Sequence, residues 1–211
     1  MILNRILLLA VIMSAGCSST YYGMMEKAGI HKRDILVDRI EGARNSQQEA
    51  REQFKSALDQ FDSVIKLQET DLKAAYERLN EEYEASEEAA EEVSRRIDRV
   101  EKVSEDLFDE WEHEVDLYEN KSFQQSSRKK LAETRRQYQA MLTKMERAEK
   151  SMYPVLHTLH DNVLYLKHNL NAQAIGSLHG EFANLTGQVD KLVDEMNKAI
   201  ASSNEFISSM K

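Results

Sequence analysis

The strongest constraint on this chain is a periodicity. From Leu36 an apolar or small residue returns as Leu36, Ile40, Ala43, Ala50, Phe54, Leu58, Phe61, Ile65, Leu72, Tyr76, Leu79, Tyr83, Ala90, Val93, Ile97, Val100, Leu107 and Trp111, in gaps of three, four or their sums. From Phe54 to Trp111, with Gln68, Ser86 and Ser104 filling the missing rungs, 57 residues take sixteen steps, about 3.56 residues each. That lies between the 3.5 of a strict heptad and the 3.6 of a straight helix. So narrow and long a seam suits helices packed at shallow crossing angles. Seven Gly and one Pro in 211 residues leave almost no material for the turns of an all-β fold, and the Val/Ile-rich runs of a buried parallel sheet are missing. The expected fold is all-α: an elongated antiparallel helical bundle or coiled-coil hairpin of two to three long helices. A helix from Lys32 to Tyr118, even with one break, would reach on the order of 130 Å.

Charge indicates where the chain turns back. Residues 81–120 hold 17 Asp+Glu against four Lys+Arg, while residues 121–150 hold nine Lys+Arg against three Asp+Glu. Folding about residue 121 lays Glu101 to Glu119 beside Arg128, Lys129, Lys130, Arg135 and Arg136, which favours the antiparallel register over its competitors. It would also put Leu107 and Trp111 on one seam with Leu131 and Tyr138. Asn120-Lys121-Ser122 marks the end of the first helix, and Ser122-Phe-Gln-Gln125 has the spacing of a capping box opening the next. Further on, the helix either ends at Tyr153 before Pro154 or kinks there. A seam of Leu156, Leu159, Val163, Leu166 and Leu170, then Leu178, Phe182, Leu185, Val189, Leu192, Met196, Ile200 and Ile207, completes the chain. A turn between Asn171 and Gly180 would make a third helix; without it the carboxy half is one long return arm.

The amino terminus reads as an address. Arg5 precedes the eight apolar residues Ile6 to Met13, too few for a span of about 20 but suited to a secretory signal. Ala15-Gly16-Cys17 then resembles the bacterial lipoprotein signal, with Ser14 where such signals usually carry Leu. The resemblance implies cleavage before Cys17, acylation of that cysteine, and, with Ser18 rather than Asp next, sorting to the outer membrane. Acylation also accounts for an exported chain with a single cysteine, and several acyl chains anchor stably. The expected organisation is a signal peptide over 1–16, a lipidated Cys17 and tether over 17–28, and one elongated helical domain over 29–211. Tyr21 and Tyr22 suit either a headgroup layer or a domain edge.

Candidate chemistry is sparse. The formal net charge is −9 and the mean hydropathy −0.60, which excludes a phosphate-neutralising nucleic-acid binder. His157, His160 and Asp161 sit at i, i+3 and i+4, close enough to share a metal, but taking Leu156 and Leu159 as core turns His157 and Asp161 toward solvent, so no metal site is expected. His168 lies about 10 Å further along the axis. These histidines share the outer face with Leu164 and Tyr165, which calls for a second packing partner: first the amino-terminal helix, otherwise another copy or another protein. The run Glu81, Glu82, Glu84, Glu87, Glu88, Glu91, Glu92 reads as a solvated helical face, with a docked basic partner as the sharper alternative. Neither a nucleophile elbow nor a phosphate-binding glycine loop is present, and exposed carboxylates lack the raised pKa that acid catalysis needs. No enzyme activity and no cofactor are expected.

The segments Tyr22-Gly-Met-Met-Glu-Lys-Ala-Gly-Ile-His-Lys-Arg-Asp-Ile-Leu-Val-Asp-Arg39 and Leu166-Lys-His-Asn-Leu-Asn-Ala-Gln-Ala-Ile-Gly-Ser-Leu178 resemble the bacterial lipoprotein family catalogued as domain of unknown function 2959. That resemblance implies class and location and supplies no catalytic or ligand residues. The expected function is a lipid-anchored periplasmic scaffold or spacer that acts by helix-helix contacts with envelope proteins or a second copy of itself. The alternative is a chaperone-like or ligand-binding module using the acidic face around 81–92.

Overall fold

The computed structural model describes residues 31–66, 72–169 and 172–210; the expected signal peptide, Cys17 and the expected tether lie outside them. Four helices follow in order: α1 over Lys32–Ile65, α2 over Leu72–Asp116, α3 over Lys121–His168 and α4 over Ala172–Met210. Each packs on its sequence neighbours and α1 closes the ring on α4. This is an up-down-up-down four-helix bundle, not a bundle of two to three helices. Its longest member, the 48-residue α3, is about 72 Å long, well short of the extended helix expected from the seam.

Every helix buries two interleaved series spaced by seven. In α1 these are Leu36, Ala43, Ala50, Ala57, Val64 and Ile40, Gln47, Phe54, Phe61. In α2, Leu72, Leu79, Ser86, Val93, Val100 and Leu107 form one series, with Ala90, Ile97 and Ser104 in the other. In α3, Leu131, Tyr138, Met145, Met152, Leu159 and Leu166 alternate with Thr134, Met141, Ala148, Val155 and Asn162. In α4 the buried positions Leu178, Leu185, Leu192, Ala199 and Phe206 alternate with Ile175, Val189, Met196, Ser203 and Met210. A strict heptad keeps one stripe turned to the partners along the whole helix.

The first long helix is broken because the two heptads are out of phase. The α1 series ending at Val64 would continue at residue 71, whereas α2 resumes at Leu72. That extra residue is why sixteen steps take 57 residues rather than 56. α1 ends at Ile65, and the Lys66 N–H bonds back to Ser63 and Val64. The polar rungs Ser86 and Ser104 do not break α2, since their hydroxyls donate to the Glu82 and Glu101 carbonyls of their own helix.

At the hairpin the structure moves the predicted cap. The N-cap of α3 is Asn120, whose Oδ1 accepts from the Ser122 and Phe123 N–H groups at 2.9 and 3.3 Å, so Ser122 lies inside the first turn. Gln124 Nε2 donates to the Val115 carbonyl at 3.2 Å and closes the end of α2. The expected charge pairing is present at Arg128–Asp116 (2.8 Å) and Arg135–Glu112 (3.2 Å). Leu107 and Leu131 are buried, Phe108 meets Tyr138 edge-on at 5.4 Å, and Trp111 is half-buried with its Nε1 donating to Ser127. α3 continues through Pro154, whose missing N–H leaves the Lys150 carbonyl without its helical donor. α3 ends at His168 with an Asn169 cap and α4 runs from Ala172, so Gly176, Gly180 and Gly187 all lie within α4.

Candidate functional site

α2 and α3 face each other so that paired residue numbers sum to about 243. Ser94 Oγ donates to Glu149 Oε1 at 2.5 Å, and Tyr83 lies against His160 with ring centroids 5.2 Å apart. Between Leu79 and Val93 the buried positions of α2 are only Ser86 and Ala90. Ala90 lines the α3 side, and a side chain this small leaves a gap there. The gap is a groove of 710 Å³, within the range of small-ligand and peptide sites, lined by Tyr83, Glu87, Ala90, Glu91, Ser94, Arg95 and Asp98 from α2 and by Tyr153, Leu156, His157 and His160 from α3.

The α3 wall is a stripe at helical spacing: Tyr153, Leu156/His157 and His160 follow at i, i+3/i+4 and i+7, and the exposed Leu164, at i+11, continues the stripe beyond the groove. Tyr153 is 47% and Leu164 41% exposed. The core stripe runs through Val155, Leu159, Asn162 and Val163 rather than through Leu156, which leaves Leu156 only partly buried at the groove. His157 and Asp161 point to solvent, as expected, and His160 Nδ1 stands 4.0 Å from Asp161 Oδ1. Leu164 and Tyr165 are not covered by α1; Tyr165 meets Ser177 of α4 at 3.3 Å through its hydroxyl. Among the described residues, no group of three His, Cys, Asp or Glu side chains could hold a metal ion.

The α2 wall is acidic. Glu87 and Glu91 are exposed at the rim with Asp98, while Arg95 is tied to Glu91 at 3.2 Å and Glu92 at 3.0 Å. Two members of the acidic run turn inward to other partners. Glu82 accepts from α1 through Gln53 Nε2 at 2.7 Å and Ser56 Oγ at 3.2 Å, and the Arg96 guanidinium holds the Glu92 carboxyl below the usual carboxylate range. The rest of the run is a solvated face. Tyr83 donates to Glu87 Oε1 at 2.8 Å; burial first, and then that bond, pushes its phenol up to about 12. Tyr83 therefore stays neutral at physiological pH and offers a ring and a hydroxyl, not a base.

In the sequence the acidic run and the histidines stand as separate features, and no local motif joins Tyr83 to Tyr153 and His160. The signal was present in the charge reversal. Reflection about residue 121 sends Tyr83 to residue 159 and Ala90 to residue 152, next to the observed partners.

Helices and register together define an antiparallel four-helix bundle with an open groove between α2 and α3, and among the described residues no helix is long and apolar enough to cross a membrane. The chain belongs to the family described as Protein of unknown function (DUF2959), whose model matches residues 21–210. Neither a curated protein nor a solved structure matches it.

Proposed function

We propose that this protein is a lipid-anchored, non-enzymatic scaffold that faces the periplasm from the outer membrane and holds an envelope partner as a helix laid in the α2–α3 groove. The observation that carries this reading is the uncovered stripe of Tyr153, Leu156, His160 and Leu164 beside Tyr83. Aromatic groups framed by a polar rim are the usual composition of a protein-binding patch, and a groove between two helices accepts the i, i+3/i+4, i+7 anchors of a third. The exposed Glu87, Glu91 and Asp98 select a partner helix with basic residues flanking its apolar stripe. Ala15-Gly16-Cys17 and Ser18 support the anchor and its destination.

A second reading, a chaperone-like binder of basic or unfolded segments, draws on the same acidic rim. A photoreactive residue placed at 153 in the acylated full chain, in cells, separates the two. The scaffold reading expects one or a few crosslinked products of defined size that are lost with Tyr83→Ala. A smear of many substoichiometric products favours the chaperone, and no product above that of an exposed control site such as residue 179 rejects the groove as a contact.

A further inference from the structure

Six large apolar side chains stand exposed among the described residues, and three of them crowd into seven positions of the α2–α3 hairpin: Leu117 at 67%, Tyr118 at 43% and Phe123 at 62%. They play no part in the turn, whose ends are closed by Asn120 and Gln124. The hairpin also overhangs its neighbours. Lys32, the first residue of α1, pairs with Glu110 at 3.0 Å, so the six residues from Trp111 to Asp116 carry α2 about 9 Å past the start of α1.

Two further observations say what lies beyond this tip. First, α1 begins at this end of the bundle, with His31 as its N-cap. The fourteen residues from Cys17 to His31 span at most about 50 Å, so an acyl anchor at Cys17 holds a bilayer surface within reach of the overhang. Second, residues 112–130 contain four acidic and four basic residues in a chain whose net charge is −9. A neutral tip meets no long-range repulsion at a phospholipid surface, unlike the acidic flanks of the bundle.

We propose that the hairpin tip is a second membrane contact, in which Leu117, Tyr118 and Phe123 enter the headgroup-acyl boundary of the zwitterionic phospholipid leaflet that holds the Cys17 acyl chains. Tyrosine and its amphipathic ring suit that depth. The contact is intramolecular once the anchor is in place, so weak insertion suffices at the high effective concentration a short tether provides. Anchor and tip together would stand the bundle on end, with the carboxy end of α1 and the amino end of α4 directed away from the bilayer. The proposal rests on the anchored reading above, and two separate readouts keep them apart.

The test uses the processed, acylated full chain in phosphatidylcholine–phosphatidylethanolamine vesicles, with Trp111→Phe removing the only native tryptophan. Phe123→Trp reports from the tip and His179→Trp from the opposite end; both sites are exposed, and Tyr118→Trp is the substitute should the first reporter lower helicity. Flotation reads the anchor, and quenching by lipids brominated on the acyl chain reads the tip. The expected result is flotation with quenching at 123 at least threefold that at 179. Flotation with equal quenching at the two sites overturns the tip contact and leaves the anchor standing. Loss of flotation overturns the anchor and, with it, the tip contact, which depends on the effective concentration the tether provides. A residue 123 reporter already shielded from acrylamide without lipid places another part of the chain or a second copy on the tip, and also overturns the proposal.

Discussion

At the scale of single residues, two kinds of position separate structural cost from structural use. A Cβ added at Gly180 or Gly187 meets nothing within 4 Å, whereas at Gly42 it meets Arg96 Nη1 at 3.2 Å. Alanine in an open helix interior gains about 1 kcal/mol over glycine, so Gly180→Ala and Gly187→Ala should each raise the chemical-denaturation midpoint, and Gly42→Ala should raise it less because Arg96 must move. Glu101 is the electrostatic counterpart. Its carboxyl is pushed up by burial first and then by Glu146, Asp98, Glu105 and Glu149 around it. A carboxyl whose pKa rises on folding favours the folded state below its unfolded pKa and loses that contribution as pH climbs through the folded value. At neutral pH Glu101 is therefore a net cost. Glu101→Gln should stabilise by about 0.5 kcal/mol at pH 7, a modest figure because solvent screens the site, and denaturant titration near pH 3 should find the two proteins equal. At this scale the sequence misleads most. Ser122 and Asn120 both have cap chemistry, and only the tight reversal after Asp116, with Gln124 reaching the Val115 carbonyl, selects Asn120.

Helices are where the sequence is most informative, since burial repeats every seven residues and that repeat survives polar substitution at Ser86, Ser104 and Asn162, each bonded to its own helix. What the linear seam concealed was a phase shift of one residue between α1 and α2, which in a list of threes and fours looks like a slightly longer period. The buried stripe is also wider than a two-stranded seam, because each helix has two neighbours; Ile35, Ile65, Ala75, Val103 and Phe108 fill the added width. Packing across that width sets the cost of truncation. Phe61 of α1 is fully buried and stacks on Phe182 of α4 at 6.2 Å, so Phe61→Ala should cost roughly 3–5 kcal/mol. Trp111 is larger but half-buried at the hairpin edge, so Trp111→Ala should cost less. Urea titrations of the two variants rank them directly; equal costs would mean that the α1–α4 contact is not part of the stable bundle.

For the molecule as a whole, everything proposed here depends on α2 and α3 being reflected about the 121 turn within a single chain. That reflection brings Glu87 and Glu91 to the same groove as His157 and His160, and it places the Leu117–Phe123 tip at the end where α1 begins. Charge made the reversal readable from the sequence, whereas the gap beside Ala90 was not, because a small residue marks a groove only once the opposite wall is known. The decisive measurement is crosslinking of Ser94→Cys with Glu149→Cys by a short bis-maleimide in a Cys17→Ser full chain, with Ser56→Cys and Glu82→Cys across α1 and α2 as the control. The account predicts rapid closure of both pairs within the monomer. Closure of the control with the 94–149 pair joining only between chains would show that α2 takes its partner from a second copy, and would remove the groove and the tip as properties of one molecule.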